Sequence, residues 1–426
     1  MDQNVRDRIL AAVDEGFDAQ IDFTRDLVTY PSQRGQEHTA QDFLYNAMAE
    51  RGWAMDRWAI DVEEIRDHPG FSPVTINYDN AINVVGTHRP AAEKGRSLIL
   101  NGHVDVVPTG PLDMWTTQPY EPRMEGDWVY GRGSGDMKAG LAANIYAMDA
   151  LKRAGFEPAS TVYIQSVTEE ECTGNGALSC LQRGYHADAV LIPEPTHDRL
   201  VRANVGVLWM QVEVRGRPAH VLESGAGSNA IMAAYKILHA LERLEGELNA
   251  EKGEHRFFEE AEKPITINVG KIEGGDWASS VPAWCRFDVR VGIYPGVSVA
   301  DAKQRVEQAI GVAVRDDPYL SNHPPSIVYN GFTSEGYRLE PGSDAENCLA
   351  DAHGHVFRNS LQDCVMPAYL DARVAMLYDN TPALVYGPVS EHIHGFDERV
   401  SISSTRHVTK TIALFIADWC GIQASA

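Results

Sequence analysis

Three short apolar runs, each typical of a buried β-strand, do most to limit the fold of this chain of 426 residues. They cover residues 97–101, 161–167 and 187–192, and an alanine-rich helical pattern lies between the first two at 137–154. Strand, helix and strand in this order indicate strands that run parallel and are covered by helices. The sequence therefore predicts an α/β fold with a mixed, mostly parallel sheet flanked by helices.

Further patterns of the same kind lie towards both ends of the chain. Residues 11–30 form an amphipathic helical pattern that stops at Pro31, and a second helical pattern covers residues 39–51. Near the other end, two helical stretches and one strand-like stretch cover residues 345–354, 403–419 and 383–386. We expect all of these segments to belong to the same α/β layer.

The middle of the chain has a different pattern, in which strands pair with two helices. The strand-like stretches are 207–214, 265–269 and 283–291, and the helical ones are 228–248 and 299–313. This pattern predicts a small α+β domain inserted at residues 206–331. The first and second parts of the other domain are then residues 1–205 and 332–426, and a chain of this length is long enough for two domains.

Composition narrows the class of partner. The formal net charge is −23, and a surface so acidic repels nucleic acid and anionic lipid. No stretch approaches the roughly 20 apolar residues that span a bilayer. The Cys residues are scattered without CxxC pairs, and the chain start lacks the apolar core of a signal peptide. We expect a cytoplasmic protein without nucleic-acid or membrane partners.

A histidine and a carboxylate, His103 and Asp105, follow the strand-like run at 97–101. Open α/β sheets bind ligands at the carboxyl ends of their strands, so His103 is a candidate metal ligand. Asp105 is spaced to accept the other ring N–H of His103, as carboxylates do behind metal-bound imidazoles. A hydrogen-bonded structural histidine is the alternative that this motif alone leaves open.

Two further segments offer carboxylates beside glycines or at a strand end. Asp136 lies in the glycine-dense stretch 131–140, where the backbone can approach a ligand closely; capping of the following helix is the alternative. Glu170 and Glu171 follow the run at 161–167, and adjacent side chains point to opposite sides of a strand. One of the two can therefore hold a metal while the other accepts a proton. A solvated acidic loop is the alternative.

Glu194 and a histidine pair complete the set. Glu194 follows the run at 187–192 between two prolines, which restrict the backbone. His394 follows the strand-like stretch at 383–386, and His392 competes with it because an HxH pair can itself hold a metal. Mixed histidine and carboxylate ligation suits divalent Zn, Mn or Co. A carboxylate between two such ions would make a two-metal hydrolytic site.

An ordered set of motifs along nearly the whole chain carries a family resemblance: NGHVDVVP, GRGSGDMKAG, TEEECTGNGAL, PEPT, GRPAH followed by SNAI, and HGFDERV. In these motifs the sequence resembles the family of acetylornithine deacetylase, succinyl-diaminopimelate desuccinylase, aminoacylase-1 and carboxypeptidase G. The resemblance implies a zinc-exopeptidase-like fold in which residues 206–331 form a lid and dimerisation domain. It also implies a homodimeric, metal-dependent hydrolase of C–N bonds.

The resemblance also assigns roles within the predicted site. His103 and Glu194 correspond to the ligands of one metal ion in the family. Glu171 and His394 correspond to the ligands of a second ion, and Asp136 corresponds to the carboxylate that bridges the two. Glu170 corresponds to the general base, which takes a proton from the attacking water and returns it to the departing nitrogen. The peptide bond between Asp136 and Met137 corresponds to one that is cis in relatives.

Four residues outside the metal cluster also match family positions. His220 corresponds to a histidine that reaches the site of a neighbouring subunit and stabilises the oxyanion. Asn229 matches a position near the substrate, Arg290 in the lid motif DVR is a candidate substrate-binding residue, and Arg373 matches an arginine that holds a substrate carboxylate. The resemblance thus implies a small substrate that bears a carboxylate.

Some positions depart from the family pattern. Leu370 stands where many relatives have Thr, and Val389 and Ser390 follow GP where a glycine is usual. Together with the additional His392, these departures leave two questions open. They are whether one or two metal ions bind, and whether the substrate is an ordinary N-acyl amino acid.

Hydrolysis of the amide of a small N-acyl amino acid or dipeptide-like carboxylate, by metal-activated water, is the function that the sequence favours. The alternative is an aminohydrolase that releases ammonia, for which Trp115, Trp209 and Trp277 are candidates to line an apolar pocket. No serine lies in the glycine-flanked elbow of a serine hydrolase. A catalytically silent protein would lack the base or the ligands, and all of them are present.

Overall fold

Residues 1–425 are described by a computed structural model, in which helices and strands alternate through most of the chain. The helices, in chain order, are α1 (Gln3–Val28), α2 (His38–Glu50), α3 (Val62–Ile65), α4 (Ala139–Arg153), α5 (Asn175–Gln182), α6 (Ala230–Ala250), α7 (Val299–Arg315), α8 (Asp344–Phe357), α9 (Ala372–Tyr378) and α10 (Ile402–Trp419). Within this range no helix combines the length and the apolar character needed to cross a bilayer.

A six-stranded sheet forms the central layer. From one edge to the other its strands are β1 (Ala54–Ala59), β2 (Ile82–His88), β7 (Val162–Val167), β3 (Leu98–His103), β8 (Val190–Ile192) and β17 (Ala383–Val385). The pairs from β7 to β17 are parallel, whereas β1 and β2 are antiparallel to their neighbours. The predicted mixed, mostly parallel sheet is confirmed, and β1 and β2 are its antiparallel strands.

The largest apolar core lies between this sheet and helices that include α1, α4, α8 and α10. The alanines of α4 are buried, and their small side chains let α1 and α10 pack closely against it. α1 starts at Gln3, earlier than the predicted residue 11. The reason is a cap, because the side chain of Asp2 accepts the N–H of Asn4 at 2.8 Å.

The middle of the chain has a sheet and an apolar core of its own. Its strands lie in the order β11 (Ile267–Gly274), β12 (Trp284–Ile293), β10 (Gly206–Arg215) and β13 (Ser326–Val328), and β14 (Thr333–Ser334) also pairs with β10. All of these pairs are antiparallel, and α6 and α7 pack together on the sheet. The α+β pattern thus matches the observed elements. The boundaries at 206 and 331 stay a prediction.

Smaller sheets complete the fold. One contains β15 (Tyr337–Arg338), β9 (Leu200–Asn204) and β16 (Asp363–Met366); another contains β18 (Ser390–Glu391), β19 (Arg399–Ser401), β5 (Trp128–Tyr130) and β4 (Arg123–Glu125); in the last, β20 (Ile422–Ala424) pairs with β6 (Phe156–Pro158).

The chain enters and leaves the middle segment at one place. Asn204 and Tyr337 are paired partners of β9 and β15, so the two connections run side by side. Glycine is required there, because a Cβ on Gly206 would lie 2.6 Å from the nitrogen of Gly336.

Candidate metal centre

Three neighbouring strands bring predicted ligands to one edge of the central sheet. β7, β3 and β8 lie side by side and run parallel, so their carboxyl ends meet. His103 is the last residue of β3, Glu170 follows β7 and Glu194 follows β8. The strand order therefore places these three side chains together.

His103 is 1% exposed, and its ring nitrogens face different partners. Nδ1 lies 2.9 Å from the main-chain oxygen of Asp105. A carbonyl can only accept, so Nδ1 carries a hydrogen, and Nε2 is the nitrogen that faces the cluster and can bind a metal when the ring is neutral. Nε2 lies 3.1 Å from Asp136 Oδ1 and 3.7 Å from Glu194 Oε1. This tautomer is the one that a metal-ligating imidazole needs.

The role predicted for the Asp105 carboxylate is corrected by this geometry. Its Oδ1 lies 3.6 Å from His103 Nδ1, which is too far for a hydrogen bond, and the main-chain carbonyl takes its place. The carboxylate instead accepts the backbone N–H groups of Glu171 at 3.1 Å and of Glu170 at 3.4 Å. These donors lie beyond the end of β7 and need an acceptor. Asp105 therefore fixes the turn that carries the two glutamates.

Asp136 lies between two histidines. Its Oδ1 is 3.1 Å from His103 Nε2, and its Oδ2 is 3.3 Å from His394 Nε2. One oxygen facing each histidine suits a carboxylate that would lie between two ions. The peptide bond between Asp136 and Met137 is cis, as the resemblance implies.

Glu169, the first of three consecutive glutamates, is turned away from the cluster and fully buried. Its φ is 67°, and its carboxylate accepts from Arg34 Nε at 2.6 Å and from Tyr78 Oη at 2.5 Å. A buried charge with these partners is satisfied. Glu169 therefore serves the turn rather than the candidate metal.

Glu170 and Glu171 take different positions beside the cluster. Glu171 Oε1 lies 3.1 Å from His394 Nε2. Glu170 makes no side-chain hydrogen bond within residues 1–425, and its Oε2 is 4.0 Å from His103 Nε2. The turn thus directs the carboxylate of Glu171 at a histidine, whereas the carboxylate of Glu170 is available to accept a proton.

His394, rather than His392, faces the carboxylates. Its Nε2 lies within 3.3 Å of both Asp136 and Glu171. The ring of His392 is exposed and forms no ion pair in the part of the chain that the structure describes. The side chain of His394 is itself 52% exposed, so the second candidate position is more open to solvent than the first.

The charges of the cluster shift the pKa values of its members. Burial disfavours the imidazolium of His103, but the carboxylates around it outweigh burial and raise its pKa well above 6.5. The negative charge of Glu171 raises the pKa of His394 to about 11. Burial raises the pKa values of Glu170 and Glu194. All of these shifts mean that the cluster favours added positive charge, which a divalent cation supplies.

The donor set fits such a cation. Ligand atoms of His103, Asp136 and Glu171 lie within 4.8 Å of one another. Glu194 is 3% exposed, and its Oε1 has no hydrogen-bond partner within residues 1–425. Burying an unpaired carboxylate oxygen is costly unless a cation binds it. Nitrogen and oxygen donors without sulfur are typical of hydrolytic divalent-metal sites.

His220 and Asn229 lie in the middle segment, away from these ligands. His220 is exposed, and its Nδ1 accepts the N–H of Leu222 at 3.0 Å. Asn229 caps α6 by accepting the N–H of Met232 at 3.0 Å. No hydrogen bond or ion pair between described residues joins either side chain to the metal cluster. Within one chain, the structure therefore does not bring them to the site.

Two arginines predicted to bind substrate have protein partners. Arg290 donates to the main-chain oxygen of Pro367 at 3.1 Å. Arg373 is fully buried and donates to the main-chain oxygen of Gly70 at 3.0 Å and to Tyr369 Oη at 3.2 Å. In this conformation these contacts use the guanidinium of Arg373. Its role toward a substrate carboxylate stays a prediction.

The tryptophans proposed to line an apolar pocket lie in different surroundings. Trp115 packs edge-on against Phe396 with ring centroids 6.1 Å apart, and Trp209 packs in the same way against Phe332 at 5.8 Å. Trp277 is 73% exposed. The three therefore do not form one pocket.

Sequence reasoning assigned no role to several side chains that support the site. Arg34 holds Glu169, as described above. Asp371 is 3% exposed and accepts from Tyr369 Oη at 2.8 Å, and Glu398 accepts the N–H of Asp136 at 3.0 Å. Asp371 lies two residues before Arg373, and Glu398 lies in the motif HGFDERV. Motif letters, however, do not show which distant backbone a side chain will reach.

Known enzymes resemble this chain in sequence and in fold. The N-formyl-4-amino-5-aminomethyl-2-methylpyrimidine deformylase of Halalkalibacterium halodurans is 27% identical, with 99% of each chain covered. The succinyl-diaminopimelate desuccinylase of Azoarcus sp. is 31% identical, with 77% of this chain and 85% of that one covered. Among solved structures, the di-peptidase Dug1p of Saccharomyces cerevisiae has a TM-score of 0.78 at 16% identity, covering 97% of this chain and 98% of that one. The structural likeness supports the fold.

The site and these likenesses together define a class of enzyme. The protein is a metal-dependent hydrolase that acts on C–N bonds of small molecules. The chain belongs to the peptidase family M20/M25/M40, whose profile matches residues 99–418.

Proposed function

We propose that this enzyme hydrolyses the amide bond of a small N-acyl amino acid or dipeptide-like carboxylate. The observation that carries the proposal is Glu170, a 6% exposed carboxylate whose Oε2 lies 4.0 Å from His103 Nε2 and whose side chain accepts no hydrogen bond from a described residue. A general base needs this combination of proximity and an available lone pair. The relatives named as a deformylase and a desuccinylase support acyl removal and do not favour the ammonia-releasing alternative.

In the proposed mechanism the metal ions and Glu170 have separate roles. A Zn, Mn or Co ion, when bound, supplies Lewis acidity to the water and the carbonyl. One ion would be held by His103 and Glu194 and a second by Glu171 and His394, with Asp136 between them. Glu170 accepts the proton of the attacking water and passes it to the nitrogen as the C–N bond breaks.

His220 is proposed to act on the oxyanion in the site of a second copy of the chain. Its Nδ1 accepts the N–H of Leu222, so in the neutral ring Nε2 carries the hydrogen. An N–H donor directed at the developing negative charge is worth about 10²–10³-fold in kcat. The exposure of His220 and its separation from the metal cluster of its own chain support this assignment.

The homodimer that this requires is proposed to form through the middle segment. β11 is an edge strand, and most of its residues are exposed. Ile272 on that strand is 52% exposed, nearby Trp277 is 73% exposed, and Met232 and Tyr235 on α6 are 59% and 52% exposed. An open strand edge beside exposed apolar side chains favours association.

A second candidate substrate is an N-formylated aminomethylpyrimidine. The support is coverage, because two deformylases named for such a compound, from Halalkalibacterium halodurans and Bacillus subtilis, are 27% and 28% identical, each over 99% of both chains. The same base and ligands would serve this reaction, since a formamide is also hydrolysed at a C–N bond. The two candidates differ in the acyl group and in the amine that the site has to receive.

The role of Glu170 is tested by Glu170→Gln. We expect kcat to fall by about 10²–10⁴-fold, because the amide cannot accept a proton. Metal content, measured by elemental analysis, should equal that of the wild type. Unimpaired turnover would remove Glu170 from its role, and loss of metal together with turnover would make it a ligand.

The substrate class is tested with a panel of N-acetyl and N-succinyl amino acids, dipeptides and the N-formyl aminomethylpyrimidine. Release of a carboxylic acid or amino acid is the expected result. Release of ammonia without an acid would contradict amide hydrolysis. Full activity of protein stripped of metal by a chelator would contradict the metal-dependent mechanism itself.

A further inference from the structure

Glu398 is a buried carboxylate, 1% exposed, on the segment that runs from His394 into β19. Each of its oxygens accepts two hydrogen bonds. The donors to Oε1 are the backbone N–H groups of Gly135 and Asp136, both at 3.0 Å, and those to Oε2 are the N–H of Gly133 at 3.1 Å and Arg132 Nη1 at 2.6 Å. All four donors belong to the turn at 132–136, which ends in the candidate bridging ligand.

Glycine allows this turn to present its N–H groups to one carboxylate. Gly133 has a φ of 79°, which side chains other than glycine rarely adopt. A Cβ on Gly135 would lie 2.8 Å from the Cβ of Ser390. Several N–H donors and a guanidinium on one buried carboxylate make a strong, charge-assisted set of hydrogen bonds. The turn is therefore held from the His394 segment.

We infer that Glu398 is a positioning residue that sets the Asp136 carboxylate between His103 and His394. The inference rests on the proposed two-metal function. The segment that carries Glu398 also carries His394, so one carboxylate ties a ligand of the second ion to the bridging ligand. His394 Nε2 and Asp136 Oδ2 lie 3.3 Å apart across this tie. Loosening the tie weakens metal binding without removing a ligand.

The test uses the full-length protein stripped of metal and titrated with Zn²⁺ or Co²⁺. Glu398→Gln is expected to weaken metal binding by about 10–100-fold, the usual cost of losing a group that orients a ligand. Glu398→Asp keeps the charge but shortens the side chain, so the metal affinity of this variant should lie between those of the wild type and Glu398→Gln. Glu391→Gln is the matched control, because Glu391 loses the same charge from the same hairpin but pairs with Arg399 instead. Its affinity should stay within about twofold of the wild type, as expected for a surface ion pair.

Thermal unfolding with and without metal separates positioning from a purely structural role. We expect the metal-induced rise in Tm to shrink in Glu398→Gln. An equal loss of Tm in both forms, with unchanged metal affinity, would overturn the inference. If Glu398→Gln does not fold, Glu398→Asp decides, and wild-type affinity in that variant also overturns it. A wild type that binds no metal would overturn the proposed function and this inference together, and the same titration shows it.

Discussion

A buried carboxyl group without a partner makes protein stability depend on pH, and Glu37 is in this position at the start of α2. It is fully buried, and within residues 1–425 neither of its oxygens has a hydrogen-bond partner. Burial raises its pKa from 4.5 to about 8, and the charge of Asp105 adds to the effect. The native state therefore holds this proton at a pH where the unfolded chain has lost it.

The sign of the effect follows from linkage. Between the ordinary pKa of 4.5 and the native pKa of about 8, the folded protein binds more protons than the unfolded chain at Glu37. The free energy of unfolding contributed by this group therefore falls as the pH rises through that window, and it is constant above it.

Glu37→Gln should flatten this pH dependence. A neutral amide has no charge to bury. The free energy of unfolding of the variant should therefore rise relative to that of the wild type, by up to a few kcal/mol, between about pH 5 and pH 9. Urea unfolding measured across this range tests the prediction. Glu259→Gln, at an exposed position, is the matched control. Parallel curves for Glu37→Gln and the wild type would contradict it.

Two glycines enclose the turn that carries Glu194. A Cβ on Gly140 of α4 would lie 2.2 Å from the main-chain oxygen of Pro193, and a Cβ on Gly387 would lie 2.2 Å from that of Glu194. Helix and turn therefore approach more closely than any side chain would permit. The position of Glu194 depends on this backbone contact.

Gly140→Ala should destabilise the protein and weaken metal binding. Alanine favours a helix, but here its methyl group has to displace the Pro193 carbonyl, at a cost of about 1–3 kcal/mol. Gly246→Ala in α6 is the matched control, because nothing lies within 4 Å of the added methyl group. It should gain about 0.5–1 kcal/mol from helix propensity. Chemical denaturation and metal titration measure both effects, and a stabilised Gly140→Ala with normal metal affinity would show that the turn tolerates the methyl group.

Local sequence patterns predict the elements that place most of the candidate ligands. The apolar runs at 97–101, 161–167 and 187–192 correspond to β3, β7 and β8, because strand periodicity and apolar content are properties of neighbouring residues. A ligand that follows such a run is placed by the strand. The mostly parallel sheet could be predicted for the same reason.

Contacts between distant segments could not be predicted in this way. Glu398 reaches the N–H of Asp136 across 262 positions of sequence, and Gly140 meets Pro193 only because α4 packs on the sheet. The same limit applies to Asp105, whose carboxylate accepts from Glu171 rather than from the ring of His103. Short strands such as β16 are too brief to show a period. In each case the partner is decided by packing.

For the whole molecule, the two edges of the sheet in the middle segment allow a test of association. Ile272 on β11 and Val328 on β13 lie on opposite edge strands and are 52% and 48% exposed. Only the β11 edge lies beside the other exposed apolar side chains of the proposed dimer interface. The two positions are therefore a matched pair.

Ile272→Arg should dissociate the proposed dimer into monomers, since a charge would have to be buried at the interface. We expect the dimer dissociation constant to rise at least tenfold in analytical ultracentrifugation. Activity should fall as the dimer dissociates, because the proposed contribution of His220 to a second site would be lost. Val328→Arg should leave both unchanged. Equal behaviour of the two variants would contradict association through β11.

The two connections that enter and leave the middle segment run side by side, and this arrangement has an evolutionary and practical consequence. Asn204 and Tyr337 are neighbours across an antiparallel pair, so a tight turn could join β9 directly to β15. The intervening segment can therefore be regarded as a cassette, because its ends meet and none of its strands belongs to the central sheet. Exchange of this cassette between relatives would then replace the surface proposed for dimerisation, while the candidate metal ligands of the central layer are kept.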